Sequence, residues 1–156
     1  MARKISTDGS FADVTAGEAL SLSGVLYTAR DAALKLMENA PPFDLNGAFI
    51  YFAGPSAAPA GYVIGSIGPT TSGRMERYIE RLLSLGVKGF IGKGALNPAP
   101  FKRYGGVYLC AVGGAGALYA GCVRSAEIAA YPELGCEASR RLEVEDMPLI
   151  CGISAK

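Results

Sequence analysis

Apolar positions along the chain fall into short runs of two different periods, and the two kinds of run follow one another. After residues 1 to 19, which are polar and weakly patterned, Leu20-Ser21-Leu22-Ser23-Gly24-Val25-Leu26-Tyr27 alternates with period two, as a half-covered strand does. A helix is predicted directly behind it. Thr28 and Asp31 match the T-x-x-D capping box, Arg30 takes the second helical position, and Ala29, Ala32, Ala33, Leu36 and Met37 form one apolar stripe. Leu34 falls off that stripe and is expected to be exposed. Ala48 to Ala53 is apolar throughout, which predicts a strand covered on both faces and ended by Gly54-Pro55. Residues 56 to 61 read as a surface loop.

A second helix is predicted after Ser72, its N-cap. Met75, Tyr78, Ile79, Leu82 and Leu83 mark its buried face, Glu76, Arg77, Glu80 and Arg81 its wet face, and Gly86 its stop. Val87 to Ile91 and Val107 to Val112 predict two more buried strands, while Ala95 to Pro100, with two prolines, predicts no regular structure. Gly113 to Gly121 predicts a short helix of small residues. Val123 to Tyr131, Leu142 to Glu145 and Leu149 to Ile153 predict strands that complete the sheet system. No linker or repeat interrupts the series, so residues 1–156 are expected to form a single mixed α/β domain rich in strands.

Composition limits the function classes. The 156 residues are 50% hydrophobic and 19% charged, the balance of a globular protein with a real core. A formal charge of +1 gives no general attraction to nucleic acid. No stretch approaches the roughly 20 apolar residues of a membrane span, and the first residues lack a signal-peptide core, so a cytoplasmic location is the expectation. The cysteines Cys110, Cys122, Cys136 and Cys151 show no C-x-x-C spacing and read as free thiols, with Cys110 and Cys151 in the core. The chain has no histidine, which excludes His-dependent triads within it and removes the commonest ligand of a catalytic metal.

Three features could carry chemistry. Gly113-Gly114-Ala115-Gly116 follows a strand and opens a helix, but Tyr119 stands at the third glycine position of G-x-G-x-x-G, and close helix packing is the simpler reading. Lys93 is flanked by Gly92 and Gly94 at a strand end, without matching a phosphate-binding loop; alone it reads as a solvated charge. The third is a repeated arrangement, strand, hydroxyl residues, helix, and arginine in the first turn, at Arg30 and again at Arg74. Its second copy contains Thr70, Thr71, Ser72 and Gly73. A helix N-terminus already carries about half a positive charge, so an arginine there is unfavourable until an anion joins it. Each arginine alone is surface decoration; the pair suggests two carboxylate or phosphate pockets.

At these residues the sequence resembles the β part of the iron–sulfur-dependent class I fumarate hydratases and the related L-tartrate dehydratases. The pieces that carry the resemblance run in order: Leu22-Ser23-Gly24 with Tyr27-Thr28-Ala29-Arg30-Asp31-Ala32-Ala33, Pro42-Phe43-Asp44-Leu45, Gly54-Pro55, and Ile64-Gly65-Ser66 through Gly68-Pro69-Thr70-Thr71-Ser72-Gly73-Arg74-Met75. Ile91-Gly92-Lys93-Gly94, Ala111-Val112-Gly113-Gly114-Ala115 and Arg141-Leu142-Glu143-Val144-Glu145-Asp146 follow. The resemblance implies a swivelling β/β/α domain with mixed sheets. It further implies a β subunit that works with an α subunit holding a [4Fe-4S] cluster, none being bound by this chain alone, in a higher oligomer.

The implied reaction is reversible hydration of fumarate to malate. Carried over by position, Arg30, Arg74 and Lys93 would hold the dicarboxylate and Thr70 would move the proton, within the site loop Thr71, Ser72 and Gly73. A threonine hydroxyl is too weak a base unaided, so the partner must activate it. Gly73 points toward fumarate, because tartrate dehydratases tend to carry a bulkier residue there. The alternatives are a β subunit of a tartrate or other hydroxy-dicarboxylate dehydratase, and a non-catalytic anion-binding or scaffold protein of the same fold. Leu34 departs from the family, which usually has a histidine at that position, and the segment after Gly94 looks short, with prolines where a helix might run.

Overall fold

Four parallel neighbours form the middle of the sheet in a computed structural model, which describes residues 2–155. β2 (Ala19–Thr28), β3 (Phe49–Tyr51), β4 (Gly89–Gly92) and β5 (Val107–Cys110) lie side by side in that order. The long β7 (Ser139–Ile153) runs antiparallel to both β5 and β2, so the pairing returns to its start and closes. β1 (Arg3–Ser6) adds to β2 in parallel, and β6 (Val123–Ala130) adds to β7 in antiparallel. The chain is one mixed α/β domain.

Alternation along the central strands separates two cores. Phe49, Tyr51, Ile91, Val107 and Leu109 face an interior shared with Leu22, Leu26, Leu142, Val144 and Met147 of β2 and β7. Ile50, Phe52, Phe90 and Tyr108 face the other way, against the helices. That is why these short strands are apolar throughout: a strand with protein on both sides has no wet face. Helices α1 (Asp31–Asn39), α2 (Glu76–Ser84) and α3 (Ala99–Tyr104) cover the second face, and α4 (Gly116–Cys122) packs Tyr119 into the first. In α2 the predicted stripe is the buried one, with Tyr78, Ile79, Leu82 and Leu83 inside. Burying an isoleucine or leucine fully contributes about 1.5–3 kcal/mol. Gly86, at φ +101, ends the helix as expected.

Several expectations are corrected. The stripe on α1 is Ala33, Leu34 and Met37, so Leu34 is fully buried and Leu36 is 42% exposed. The capping box does not form: the Thr28 hydroxyl accepts from the Arg140 amide and donates to the Ala138 carbonyl, tying β2 to β7 instead. Arg30 is the N-cap, in extended conformation, and not the second helical residue. Ser72 is likewise no cap. It is the first residue of a 3-10 turn, Ser72–Met75, that leads into α2, and its side chain points inward. Ala95 to Pro100 is not wholly irregular, because α3 begins at Ala99 with Pro98 as its cap; proline suits a first turn, where no amide partner is needed. The two strands predicted near the C-terminal end are one, continuous through Pro148 with Asp146 at φ +52, and the polar start contains β1. Cys151 is buried, whereas Cys110 is only half-buried.

Candidate active site

At the C-terminal ends of the parallel strands each chain turns away into a loop or helix, which leaves that edge free to carry side chains from several strands. Four of the singled-out residues arrive at those ends. Arg30 follows β2, with the Ala29 amide bonded to the Tyr51 carbonyl on β3 at 3.0 Å. Thr70 is laid over the end of β3 by its amide, which donates to the Phe52 carbonyl at 2.7 Å. Thr71 bridges to Lys93, which follows β4, and the Ser72 amide donates to the Lys93 carbonyl at 2.9 Å. Neighbouring strands are about 4.8 Å apart, so the backbones from Arg30 to Lys93 span only about 10 Å. The loop from Gly65 to Met75 therefore crosses the ends of β3 and β4 and delivers Arg74 to the same edge.

Glycines make the crossing possible. A Cβ on Gly92 would lie 2.0 Å from Ser72 Oγ, and one on Gly116 would lie 2.2 Å from Ser66 Oγ. Of the run Gly113-Gly114-Ala115-Gly116 it is Gly116, the first residue of α4, that packs closely against the start of the loop, and the Ile67 amide donates to its carbonyl at 3.1 Å. From below, the buried Tyr51 hydroxyl donates to the Ile67 carbonyl at 2.7 Å. Burial pushes that phenol well above its ordinary range.

The three cations differ in their surroundings. Arg74 Nη2 lies 3.3 Å from Asp31 Oδ2, with both side chains about half exposed. Arg30 lies against Gly54, whose missing Cβ makes room for its Cδ and Nη1, and its Nε is buried without a hydrogen-bond partner. Lys93 runs beside Gly113, with its Nζ 3.6 Å from where a Cβ would be. Among the described residues neither Arg30 nor Lys93 is engaged in an ion pair. Two unpaired cations and a third shared with one carboxylate make this edge attractive to a dianion. A buried guanidinium donor without an acceptor costs free energy that a bound carboxylate would recover.

Asp31 and Tyr108 also stand at this edge, although no sequence motif marks either as a site residue. Asp31 is visible in the sequence as an acidic residue next to Arg30, but nothing local says that its partner lies on another helix. Tyr108 reads as one more apolar strand residue. In the structure its hydroxyl donates to the Gly94 carbonyl at 2.8 Å and lies 2.8 Å from Ser72 Oγ. Burial raises its pKa, and the Ser72 hydrogen bond partly offsets the shift.

The donor set does not suit an iron–sulfur cluster. Cys110 and Cys122 are half-buried, Cys136 is exposed and Cys151 is in the core, and among the described residues no three His, Cys, Asp or Glu side chains converge. Nor is any described helix long and apolar enough to cross a membrane. An apolar cleft of about 440 Å³ beside Tyr62, Val63, Ser66 and Ala117 borders the loop but does not contain the cations.

Comparison with known proteins gives a consistent result. The family model described as "Fumarase C-terminus" matches residues 3–156. "Fumarate hydratase class I, aerobic" of Escherichia coli is 40% identical over 142 residues, covering 83% of this chain and 26% of that protein. "Fumarate hydratase 2" of Leishmania major is 37% identical over 153 residues, 90% of this chain and 27% of its own length. "Putative L(+)-tartrate dehydratase subunit beta" of Methanocaldococcus jannaschii is 40% identical over 154 residues, 89% of this chain and 79% of that protein. The chain thus spans about a quarter of the fumarate hydratases and most of the tartrate dehydratase subunit.

Proposed function

The chain belongs to the fumarase C-terminus family, and from that premise we propose that it is the β subunit of a hydro-lyase that hydrates fumarate to malate. On this reading the chain is a swivelling β/β/α domain, and its partner is an α subunit that carries a [4Fe-4S] cluster and supplies the other half of one site. The observation that carries this reading is the gathering of Arg30, Thr70, Arg74 and Lys93 on the C-terminal edge of neighbouring parallel strands.

On this reading Arg30, Arg74 and Lys93 bind the two carboxylates, with the arginines making forked contacts and the lysine a point contact. Holding both ends of a rigid dianion fixes its double bond over Thr70. In the hydration direction the oxygen of water adds to one alkene carbon, while the Thr70 hydroxyl gives its proton to the other, next to a carboxylate. Water's remaining proton goes to a basic group of the partner, and the same group returns a proton to Thr70. An unaided threonine alkoxide is too costly at neutral pH, which is why catalysis belongs to the assembled pair.

Tartrate is the second reading, favoured by the subunit-sized relative from Methanocaldococcus jannaschii. Anaerobic co-expression with the α-type chain tests both, with fumarate, malate and tartrate offered to the complex. The expected result is fumarate hydration by the complex, none by this chain alone, and loss of about 100-fold or more in kcat for Thr70→Ala with folding retained. A Thr70→Ala, Arg74→Ala complex with full activity would overturn the site assignment.

A further inference from the structure

Ser72 sits two residues after Thr70 and two before Arg74, yet its side chain is wholly buried beneath the site and does not face it. Its amide donates to the carbonyl of Lys93 at 2.9 Å. Its hydroxyl lies 2.8 Å from the Tyr108 hydroxyl, which donates to the carbonyl of Gly94 at 2.8 Å. A phenol has one proton. With that proton on Gly94, the remaining bond runs from the Ser72 hydroxyl to Tyr108, giving a directed relay from Ser72 through Tyr108 to Gly94. Ser72 thus grips two successive carbonyls, that of Lys93 directly and that of Gly94 through the phenol.

Two glycines are built around this contact. Gly92 has no Cβ where Ser72 Oγ sits, 2.0 Å from the Cβ position, and Gly94 takes φ +86. A core needing only volume could use alanine and phenylalanine here, with no polar atoms to satisfy. The polar pair stands instead where the loop bearing Thr70 and Arg74 crosses the loop bearing Lys93. Burial keeps the phenol protonated, so the relay persists across neutral pH.

We propose that Ser72 and Tyr108 are positioning residues, which together hold Lys93 at a fixed place relative to Thr70 and Arg74. The inference rests on the reading that these three residues engage a dicarboxylate. A misplaced Lys93 weakens the grip on a substrate carboxylate in ground state and transition state alike, which raises KM and leaves kcat nearly unchanged.

Tyr108→Phe and Ser72→Ala test it in two measurements. Amide hydrogen exchange on this protein is expected to show Ser72 and its neighbours deprotected about tenfold in Tyr108→Phe, with the amides of β7 unchanged. In the assembled enzyme KM for fumarate is expected to rise about tenfold with kcat within about threefold, and the double variant is expected to match Tyr108→Phe, which already breaks both bonds of the relay. Should Tyr108→Phe fold poorly, Ser72→Ala carries both measurements. Unchanged exchange at Ser72, exchange raised evenly across the sheet, or a fall in kcat at constant KM overturns the proposal. A wild-type complex without dicarboxylate turnover, together with local deprotection at Ser72, overturns the functional reading and leaves the Ser72–Tyr108 tie standing.

Discussion

Asp31 and Arg74, each in the first turn of a different helical segment, meet at 3.3 Å on the edge that also carries Arg30, Thr70 and Lys93. The repeated helix starts therefore form one unit. The arginine placed unfavourably at a positive helix end takes part of its compensation from a carboxylate at the start of α1, and that carboxylate sits favourably at its own N-terminus. Asp31 thus orients the Arg74 fork while leaving half of it open to an incoming anion.

Replacing Asp31 by asparagine separates these roles. Both side chains are about half exposed, so the pair contributes less than about 1 kcal/mol, and thermal melting of Asp31→Asn is expected to stay close to wild type. In the complex, KM for fumarate is expected to rise several-fold as Arg74 loses its orientation. An unchanged KM would show that Arg74 reaches substrate without help from Asp31.

Gly73 offers a probe of substrate choice. No atom lies within 4 Å of where its Cβ would be, and its φ is not positive, so the fold does not require glycine there. Gly73→Ala is expected to melt at or slightly above the wild-type temperature, since alanine loses less backbone entropy. Its methyl would stand beside Arg74, and the ratio of kcat/KM for fumarate to that for tartrate is expected to fall. Equal ratios in both proteins would remove residue 73 from the determinants of specificity.

How much of this could be read beforehand depended on how strongly each segment constrained its own phase. In α2 four large apolar residues oppose four charges, and only one orientation buries the first set. In α1 nine residues hold two alanines and two leucines, and stripes through Leu34 or through Leu36 fit the period equally well. The choice was made by Phe52, Met75 and Tyr78, which share the core with Leu34 and come from elsewhere in the chain. Arg30 and Arg74 stood out because each follows hydroxyl residues at an expected helix start, whereas Lys93 alone read as a solvated charge and Thr70 took its role only from the family resemblance. Tyr108 was not legible, because a tyrosine in an apolar strand gives no sign of where its hydroxyl points. β1, four residues long, was too short to show its alternation.

Leu34, where the family resemblance leads one to expect a histidine, is consequently a core position. Leu34 is fully buried among Met37, Phe52 and Met75, and Leu34→Ala is expected to cost about 2–5 kcal/mol. Urea unfolding of the two proteins would measure it. A cost below about 1 kcal/mol would mean that α1 packs loosely against the sheet.

The buried acids make a prediction about pH. Burial raises the thiols of Cys151 and Cys110 and the phenols of Tyr51 and Tyr108 above their unfolded values. A raised folded pKa means that the native state keeps a proton which the unfolded state releases, so the contribution to stability is complete below the unfolded pKa and falls as pH rises toward the folded one. With unfolded values of about 8.5 for cysteine and about 10 for tyrosine, stability is expected to hold from pH 7 to about 8.5. It then declines, more steeply above about 10. Tyr51→Phe removes one of the tyrosines from that steep part, at the cost of the Ile67 hydrogen bond, and its curve is expected to be lower at neutral pH but flatter above 10. Urea midpoints measured across this range, with tyrosinate absorbance followed in parallel, check both statements. Tyr51 ionising near pH 10 with the fold intact would mean that the hydroxyl beneath the Thr70 loop is open to water.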